Sequence, residues 1–524
     1  MNESWKHFDA TIFLRMPNPR VLLIYPRLQF REQDIFKPDG SLSLPYLAGA
    51  LRSAGIEVGI LDASVGTDRD DLQKTFYSAV RQENGLVRVG MTDERLLEEV
   101  RDYHIIGITS IFTMQTRPVL EMIRLIRDAF PDKLIVSGGV NARELRQRFF
   151  AAGCDLVCLS EADETVVQIA RSWRPSCKPS DFSHIPGLTG RASGAAGLLI
   201  PAFHKPLLAP VEDLDKLPMP AWDLLPNARY WEISRPHGGD FVPGTRIQYA
   251  SMMTSRGCPF ACSYCHISKE TADHEAGPIG TLRLKSVDRV MEEARILKEL
   301  GVEYLFIEDD SLLAKKKRVI TIFERFVGMG FKIIDVNGVN LAHLSRRVGS
   351  RLVVDYEMLD AMAAAGFTKL TLPFESGSQR ILDKWASKKW RIDNLDCEEL
   401  IRGCRDRGIT ALGNYTIGYP DEPFDEMMET ITMAQRHVNA GLAAASFFVI
   451  VPFPGTALFD ISVRDGHLDA DFEPDLMNWT RSCFKNTPVP AAALELVRAT
   501  AWKLINKPEF VQSRVEMSAR ALAE

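Results

Sequence analysis

The 524-residue chain has no stretch long and apolar enough to span a bilayer. Its most apolar segment, residues 441–454, is short and broken by Pro452, so it reads as a buried strand and no membrane span is expected. Neither charge sign is in excess. The 63 Lys+Arg and 69 Asp+Glu leave a net charge of −6, which removes any global electrostatic reason to bind nucleic acid or an anionic membrane. Residues 1–19 mix charged and apolar side chains without an apolar core or a small-residue cleavage site, so no targeting signal is expected and the expected location is cytoplasmic. Nine cysteines cannot all pair, which excludes a complete disulfide framework. In a reducing compartment, clustered cysteines point to metal instead. Internal repeats and low-complexity tracts are lacking, and no G-x-G-x-x-G follows the first expected strand, which counts against a dinucleotide site.

What is present is an ordinary folded composition, 46% hydrophobic and 25% charged, in a chain long enough for three or four units. In the first third, short apolar runs at 20–25, 57–61, 104–109, 133–137 and 155–159 read as buried strands. Helical spacing lies between them at 44–54, 119–130 and 142–152. Alternation of this kind predicts a doubly wound parallel sheet with ligands at the carboxyl ends of its strands. Ser110, the pair Gly138 and Gly139, and the 41–46 segment with Ser43 and Leu44 all fall just after strands. The glycine pair alone is equally explained by a turn. Residues 173–245 are punctuated by proline from Pro175 to Pro243 and read as a connector of short structured pieces.

Residues 254–266 read TSRGCPFACSYCH. Cys258, Cys262 and Cys265 have the spacing C-x3-C-x2-C. Three thiolates on one short loop can each take one iron of a [4Fe–4S] cube, leaving a fourth iron open to a bidentate small molecule. The competing readings are three buried thiols or zinc. Zinc normally asks for a fourth ligand, and His266 is awkwardly adjacent to Cys265.

The three cysteines and the flanking residues 254–260 resemble the signature of radical S-adenosylmethionine (SAM) enzymes, in particular the cobalamin-binding branch with its class B methyltransferases. The strings IEDDS (307–311), PFESGS (373–378), IGYPDE (417–422) and PFPGTAL (452–458) recur in that branch in this order. The resemblance covers roughly residues 20–460. Six β-like runs at 246–253, 304–307, 332–336, 369–374, 410–417 and 443–451, with helices between them such as 287–300 and 397–407, agree with a partial (β/α)6 barrel. The expected division is a Rossmann-like cobalamin domain at 19–172, a connector at 173–245, the radical SAM barrel at 246–458 and a helical cap at 459–524.

The resemblance implies that SAM chelates the open iron, that one electron cleaves it to a 5′-deoxyadenosyl radical, and that methylcobalamin delivers a methyl group to the substrate radical. A second SAM then remethylates cob(I)alamin. It further implies Tyr264, Asp309, Glu375 and Ser376 at SAM, and Ser43, Leu44, Ser110, Gly138 and Gly139 at cobalamin. No catalytic acid or base is assigned. Glu375 has a competing reading as the partner of a barrel Lys or Arg. Asp309 and Asp310 have one as a helix cap, and the Tyr264 ring one as packing. Some cobalamin proteins supply a histidine to cobalt from D-x-H-x-x-G. No such motif is expected here: His7 precedes the first strand and His104 opens a later one, so no protein histidine is expected on cobalt. The family often has Gly-Glu-Gly-Glu where this chain has Ser160-Glu161-Ala162-Asp163-Glu164; the charge persists without the glycines.

Cys154, Cys158 and Cys177 are too irregularly spaced to ring a second cluster, and they read as buried apolar residues. Cys397, Cys404 and Cys483 are dispersed. Trp479 and Trp502 read as core more than as substrate contacts. The expected partners are a small-molecule or natural-product substrate and an electron donor such as flavodoxin or ferredoxin. The competing functions are a radical cyclase, ring-contracting or oxidative enzyme without methyl transfer, and a non-enzymatic cobalamin module. Substrate and oligomeric state are not encoded in any motif.

Overall fold

A computed structural model describes residues 19–38, 42–192, 201–236, 238, 245–349 and 351–523. The stretch behind the targeting expectation, with His7, lies outside the described residues, as do Ser41 and Pro243.

Five short apolar runs form the first sheet: β1 (Val21–Tyr25), β2 (Val58–Asp62), β3 (Ile105–Thr109), β4 (Leu134–Gly138) and β5 (Leu156–Cys158). All pair in parallel, in the spatial order β2-β1-β3-β4-β5. Strand alternation sends Val21, Leu23 and Tyr25 to one face, against Leu44 and Leu51 of helix Ser43–Ser53. Leu22 and Ile24 go to the other face, against Val119, Ile123 and Ile126 of helix Thr116–Ala129. Both faces are therefore covered, which is why the strands read as continuous apolar runs rather than alternating ones. The chain winds outward in both directions from β1 and β3, so the carboxyl edge between these two strands is the topological switch point where such sheets take ligands.

The proline-rich stretch adds to this sheet. Its β6 (Leu188–Arg191) pairs antiparallel with β5, and β7 (Pro201–Lys205) pairs antiparallel with β6. Proline and glycine hid this hairpin from periodicity. Helix Asn227–Ile233 then joins the two halves of the molecule. Its Tyr230 hydroxyl donates to Asp62 at the end of β2 (2.7 Å), and Trp231 Nε1 donates to the Tyr249 carbonyl (2.8 Å).

The second sheet holds β8 (Tyr249–Met252), β9 (Tyr304–Ile307), β10 (Lys332–Asp335), β11 (Phe367–Glu375), β12 (Thr410–Ile417) and β13 (Ala444–Val449). They pair in parallel and in sequence order, and β8 and β13 do not pair with each other. This is an open six-stranded barrel whose carboxyl ends carry the motif loops. Helix Ala491–Ile505 covers its free edge, with Leu494 against Ile417 and Val449. Just beyond it, Asn506 accepts from the Ala445 N–H (2.7 Å) and donates to the Ala445 carbonyl (2.8 Å), doing for β13 what a further strand would do. The C-terminal region also reaches back to the N-terminal unit. Buried Asp475 accepts from Gln29 (2.8 Å), Asn84 (2.7 Å) and Arg117 (2.6 Å).

Candidate functional site

The cysteine loop leaves the carboxyl end of β8 and is held by hydrogen bonds from the 307–311 and 452–458 strings. Asp309, just past β9, is buried. Its carboxylate accepts from the Thr254 N–H and hydroxyl (2.6 Å each) and from the Ser255 hydroxyl. Its neighbour Asp310 accepts from the Gly257 N–H at 3.0 Å. Burial pushes Asp310 up to about 6, against the pull of that N–H. Both aspartates thus hold the entrance of the loop. The expectation that one faces SAM meets a carboxylate whose oxygens are already engaged, and neither caps the following helix. Gly257 has φ +84°, and a Cβ there would lie 2.4 Å from the Thr281 carbonyl oxygen, so the chain can pass only with glycine. At the other end of the loop, the Leu458 N–H of PFPGTAL donates to the Ser263 carbonyl at 2.8 Å.

Glu375 ends β11 in the left-handed region, φ +66°. A non-glycine residue is held there only when its surroundings demand it, at a cost on the order of 1–3 kcal/mol. The demand is an ion pair: Lys389 Nζ lies 2.6 Å from the Glu375 carboxylate, and both side chains are about nine-tenths buried. Lys389 follows Ser387 and Lys388, which are themselves left-handed. Burial disfavours the Lys389 ammonium, but the charges of Glu375 and Cys262 outweigh it and raise its pKa. The Lys alternative for Glu375 is thus the partner seen here. Ser376 is fully buried and turns inward; its hydroxyl lies 3.2 Å from that of Thr430 and accepts from the Ser378 N–H (3.1 Å).

Beside this pair the Tyr264 ring packs among Ile381, Trp385, Tyr419 and Leu458, with the Tyr419 ring 6.3 Å away. The hydroxyls of Tyr264 and Tyr419 and one oxygen of Glu422 are buried without a hydrogen-bond partner. Burial, and then the nearby Glu375 charge, raise the Tyr264 pKa well above its usual value, so the phenol stays protonated. The second oxygen of Glu422 accepts from the N–H groups of Gly418 (2.6 Å) and Tyr419 (3.1 Å), while burial pushes the group up to about 8. Orphaned buried donors and acceptors call for a partner. A small molecule carrying hydroxyl, amine and carboxylate groups supplies one, and SAM has all three.

The three cysteines are free. Among the described residues no group of three His, Cys, Asp or Glu is placed to hold a single metal ion. Three thiols on one short loop can each take a different iron of a cube. Burial raises Cys258 and pushes Cys265 up to about 12, so bound metal must supply the charge that keeps them as thiolates.

In the first sheet, Ser110, Gly138 and Gly139 meet at the carboxyl edge. The Ser110 N–H donates to the Gly138 carbonyl (2.8 Å), and the Ser110 hydroxyl accepts from Asn141 (2.9 Å). Gly139 has φ +101°, and a Cβ there would sit 2.4 Å from the Ser110 carbonyl oxygen; the turn reading of the glycine pair therefore has a physical basis. Ser43 and Leu44 open the helix after β1, so by topology they lie at the same edge. His104 does not. Contrary to the expectation of no such motif, the string Asp102-Tyr103-His104-Ile105-Ile106-Gly107 has the D-x-H-x-x-G spacing, but it enters β3 at the amino edge, opposite the switch point. There His104 Nδ1 accepts from the Arg20 N–H (3.0 Å), and the ring packs on Trp173.

Spacing gave no sign of Lys389, nor of the arginines that meet the acidic string. Arg256 pairs with Asp163 and Glu161, and Arg283, its cross-strand partner, pairs with Glu161. The signal was available: an acidic string without the family's glycines, and an arginine two residues before Cys258. Cys154 and Cys158 pack on opposite faces of the first sheet and share no site. Trp502 packs against the barrel core, whereas Trp479 is half-exposed beside Phe448 and Phe453.

Comparison with known proteins agrees with this geometry. Residues 252–434 match the radical SAM superfamily, and residues 40–170 match the B12 binding domain. The chain is 26% identical to cytidylyl-2-hydroxyethylphosphonate methyltransferase of Streptomyces wedmorensis, over 86% of this chain and 83% of that one. It is 23% identical to anaerobic magnesium-protoporphyrin IX monomethyl ester cyclase of Cereibacter sphaeroides, over 85% of this chain and 64% of that one. Its fold resembles that of the radical SAM methyltransferase TsrM from Kitasatospora setae, solved with cobalamin and a [4Fe–4S] cluster, with a TM-score of 0.58 at 17% identity over 86% of this chain and 79% of that one. With a B12-binding domain ahead of a radical SAM domain, and the cysteine loop turned toward it, the chain belongs to the cobalamin-binding radical SAM enzymes.

Proposed function

We propose that this protein is a cobalamin-dependent radical SAM methyltransferase that methylates an unactivated carbon of a small-molecule or natural-product substrate. One observation supports the reading: both flanks of the three-cysteine loop are ion-paired to segments that follow the carboxyl ends of β4 and β5, Glu270 to Arg143 and Arg256 to Asp163. In this reading Cys258, Cys262 and Cys265 hold the cluster, and Glu375, Lys389, Tyr264 and Glu422 line the SAM site. Ser43, Leu44, Ser110, Gly138 and Gly139 edge the cobalamin site. When bound, these cofactors supply radical cleavage of SAM and a transferable methyl group.

The chain's own contribution is to orient and to exclude water. Asp309 and Asp310 fix the loop entrance. Glu375 exchanges its Lys389 partner for the SAM amine or ribose, leaving the lysine ammonium for the SAM carboxylate. The aromatic wall of Tyr264, Trp385 and Tyr419 keeps water out. Asp309 and Ser376 act by shaping loops rather than by touching SAM, and cobalt takes no protein histidine. The units proposed are residues 19–172 for cobalamin, 173–245 as connector, 246–458 for the barrel and 459–524 as cap. A low-potential donor such as flavodoxin or ferredoxin supplies electrons in a reducing, cytoplasmic setting. Among the described residues no helix is long and apolar enough to cross a membrane.

The test is anaerobic incubation of the reconstituted protein with cobalamin, reductant and SAM carrying a trideuterated methyl group. Methyl transfer predicts label on the cobalamin fraction together with S-adenosylhomocysteine. The similarity to a cyclase over most of the chain favours one second reading, radical chemistry without methyl transfer. That reading predicts 5′-deoxyadenosine with no label on cobalamin.

A further inference from the structure

Each flank of the cysteine loop is held by an ion pair whose other member belongs to the first sheet unit. On the amino side, Arg256 donates to both oxygens of Asp163, at 2.9 and 3.1 Å, and lies 3.2 Å from Glu161. On the carboxyl side, Glu270 accepts from Arg143 at 2.7 Å and from His266 at 3.0 Å. Arg143 follows the Gly139 turn after β4, and Asp163 follows β5, so both come from the edge where cobalamin is placed. None of these four side chains is more than 13% exposed. The second pair is linked through the backbone to Cys258: the Glu270 carbonyl accepts from the Gly280 N–H, and the Gly280 carbonyl accepts from the Cys258 N–H, each at 3.0 Å.

Buried ion pairs of this kind gain little net stability over apolar packing, but breaking one partner leaves an uncompensated charge. Their attested use is to fix register. Two of them, one at each end of a loop, make its conformation depend on where the partner segments sit.

We infer that Arg143–Glu270 and Asp163–Arg256 are positioning pairs through which cobalamin occupancy orders the cluster loop. Filling the first site fixes the segments after β4 and β5. Those segments fix Arg143 and Asp163, and these in turn hold Glu270 and Arg256. The inference rests on the reading that both cofactors bind.

Hydrogen–deuterium exchange of the full-length, cluster-reconstituted protein, with and without hydroxocobalamin under anaerobic conditions, tests it. In the wild type, amides of residues 256–270 should exchange on the order of tenfold more slowly once cobalamin is bound. In Asp163→Asn and in Glu270→Gln, at equal iron and cobalamin content, the slowing should fall to about threefold or less. Equal slowing in Asp163→Asn and Glu270→Gln would overturn the inference. So would no slowing in wild-type protein that has bound cobalamin, a result that decides the matter even if a variant fails to fold. Wild-type protein that takes up no cobalamin would overturn the cofactor reading itself.

Discussion

Asp309 shows how a motif residue can anchor the start of a loop. Its carboxylate answers the Thr254 N–H and two hydroxyls in a site closed to water. Replacing it with Ala leaves that N–H unpaired, a loss of about 1–3 kcal/mol, at the point where the cysteine loop begins. Asp309→Ala should therefore bind clearly less iron after reconstitution, as read by visible absorption and iron assay. Glu422 gives a pH signature. Its pKa is raised to about 8 in the fold against an ordinary value of 4.5. The native state therefore holds a proton that the unfolded chain releases between those pH values, and stability falls as pH rises through that window. Glu422→Gln should flatten this fall in protein without SAM: its Tm should exceed that of the parent at pH 8, with the difference vanishing toward pH 4.5. The cysteine triplet was legible in the sequence because its spacing is itself the signal. Lys389 was not, because its approach to Glu375 depends on two left-handed residues that no periodicity marks.

Among the elements, the strands were legible where burial on both faces produces continuous apolar runs, as in β1 and β3. The hairpin of β6 and β7 was missed because Gly190 and Pro201 interrupt it, and because its role is to extend an edge rather than fill a core. The helix after β4 breaks at Glu144–Leu145 into Val140–Glu144 and Arg146–Ala152, where the pattern suggested one helix. Two predictions belong here. Gly139→Ala forces a side chain into a left-handed position 2.4 Å from the Ser110 carbonyl oxygen. It should cost on the order of 1–3 kcal/mol and weaken cobalamin binding, measured by denaturant melts and by cobalamin retention on gel filtration. Asn506→Ala removes both bonds to Ala445 from the open edge of the barrel, and should lower unfolding free energy by roughly 1–3 kcal/mol without changing the iron content.

For the whole molecule, the sequence carried the two cofactor units and their order but not the contact between them. That contact is built from single side chains on distant segments: Arg256 with Asp163, Arg143 with Glu270, and Lys285 donating to the Tyr46 hydroxyl. Each is unremarkable in the chain and acquires meaning only when the sheet edge meets the barrel. The remaining six cysteines are dispersed through the cores or their margins, so the account requires one cluster: near four irons per chain, and loss of the visible absorption on replacing Cys258, Cys262 and Cys265 with Ala. The most direct test of the central claim is product analysis of the anaerobically reconstituted protein with cobalamin, SAM, reductant and a candidate substrate. The account predicts both 5′-deoxyadenosine and S-adenosylhomocysteine; protein that holds cluster and cobalamin yet forms neither would contradict it.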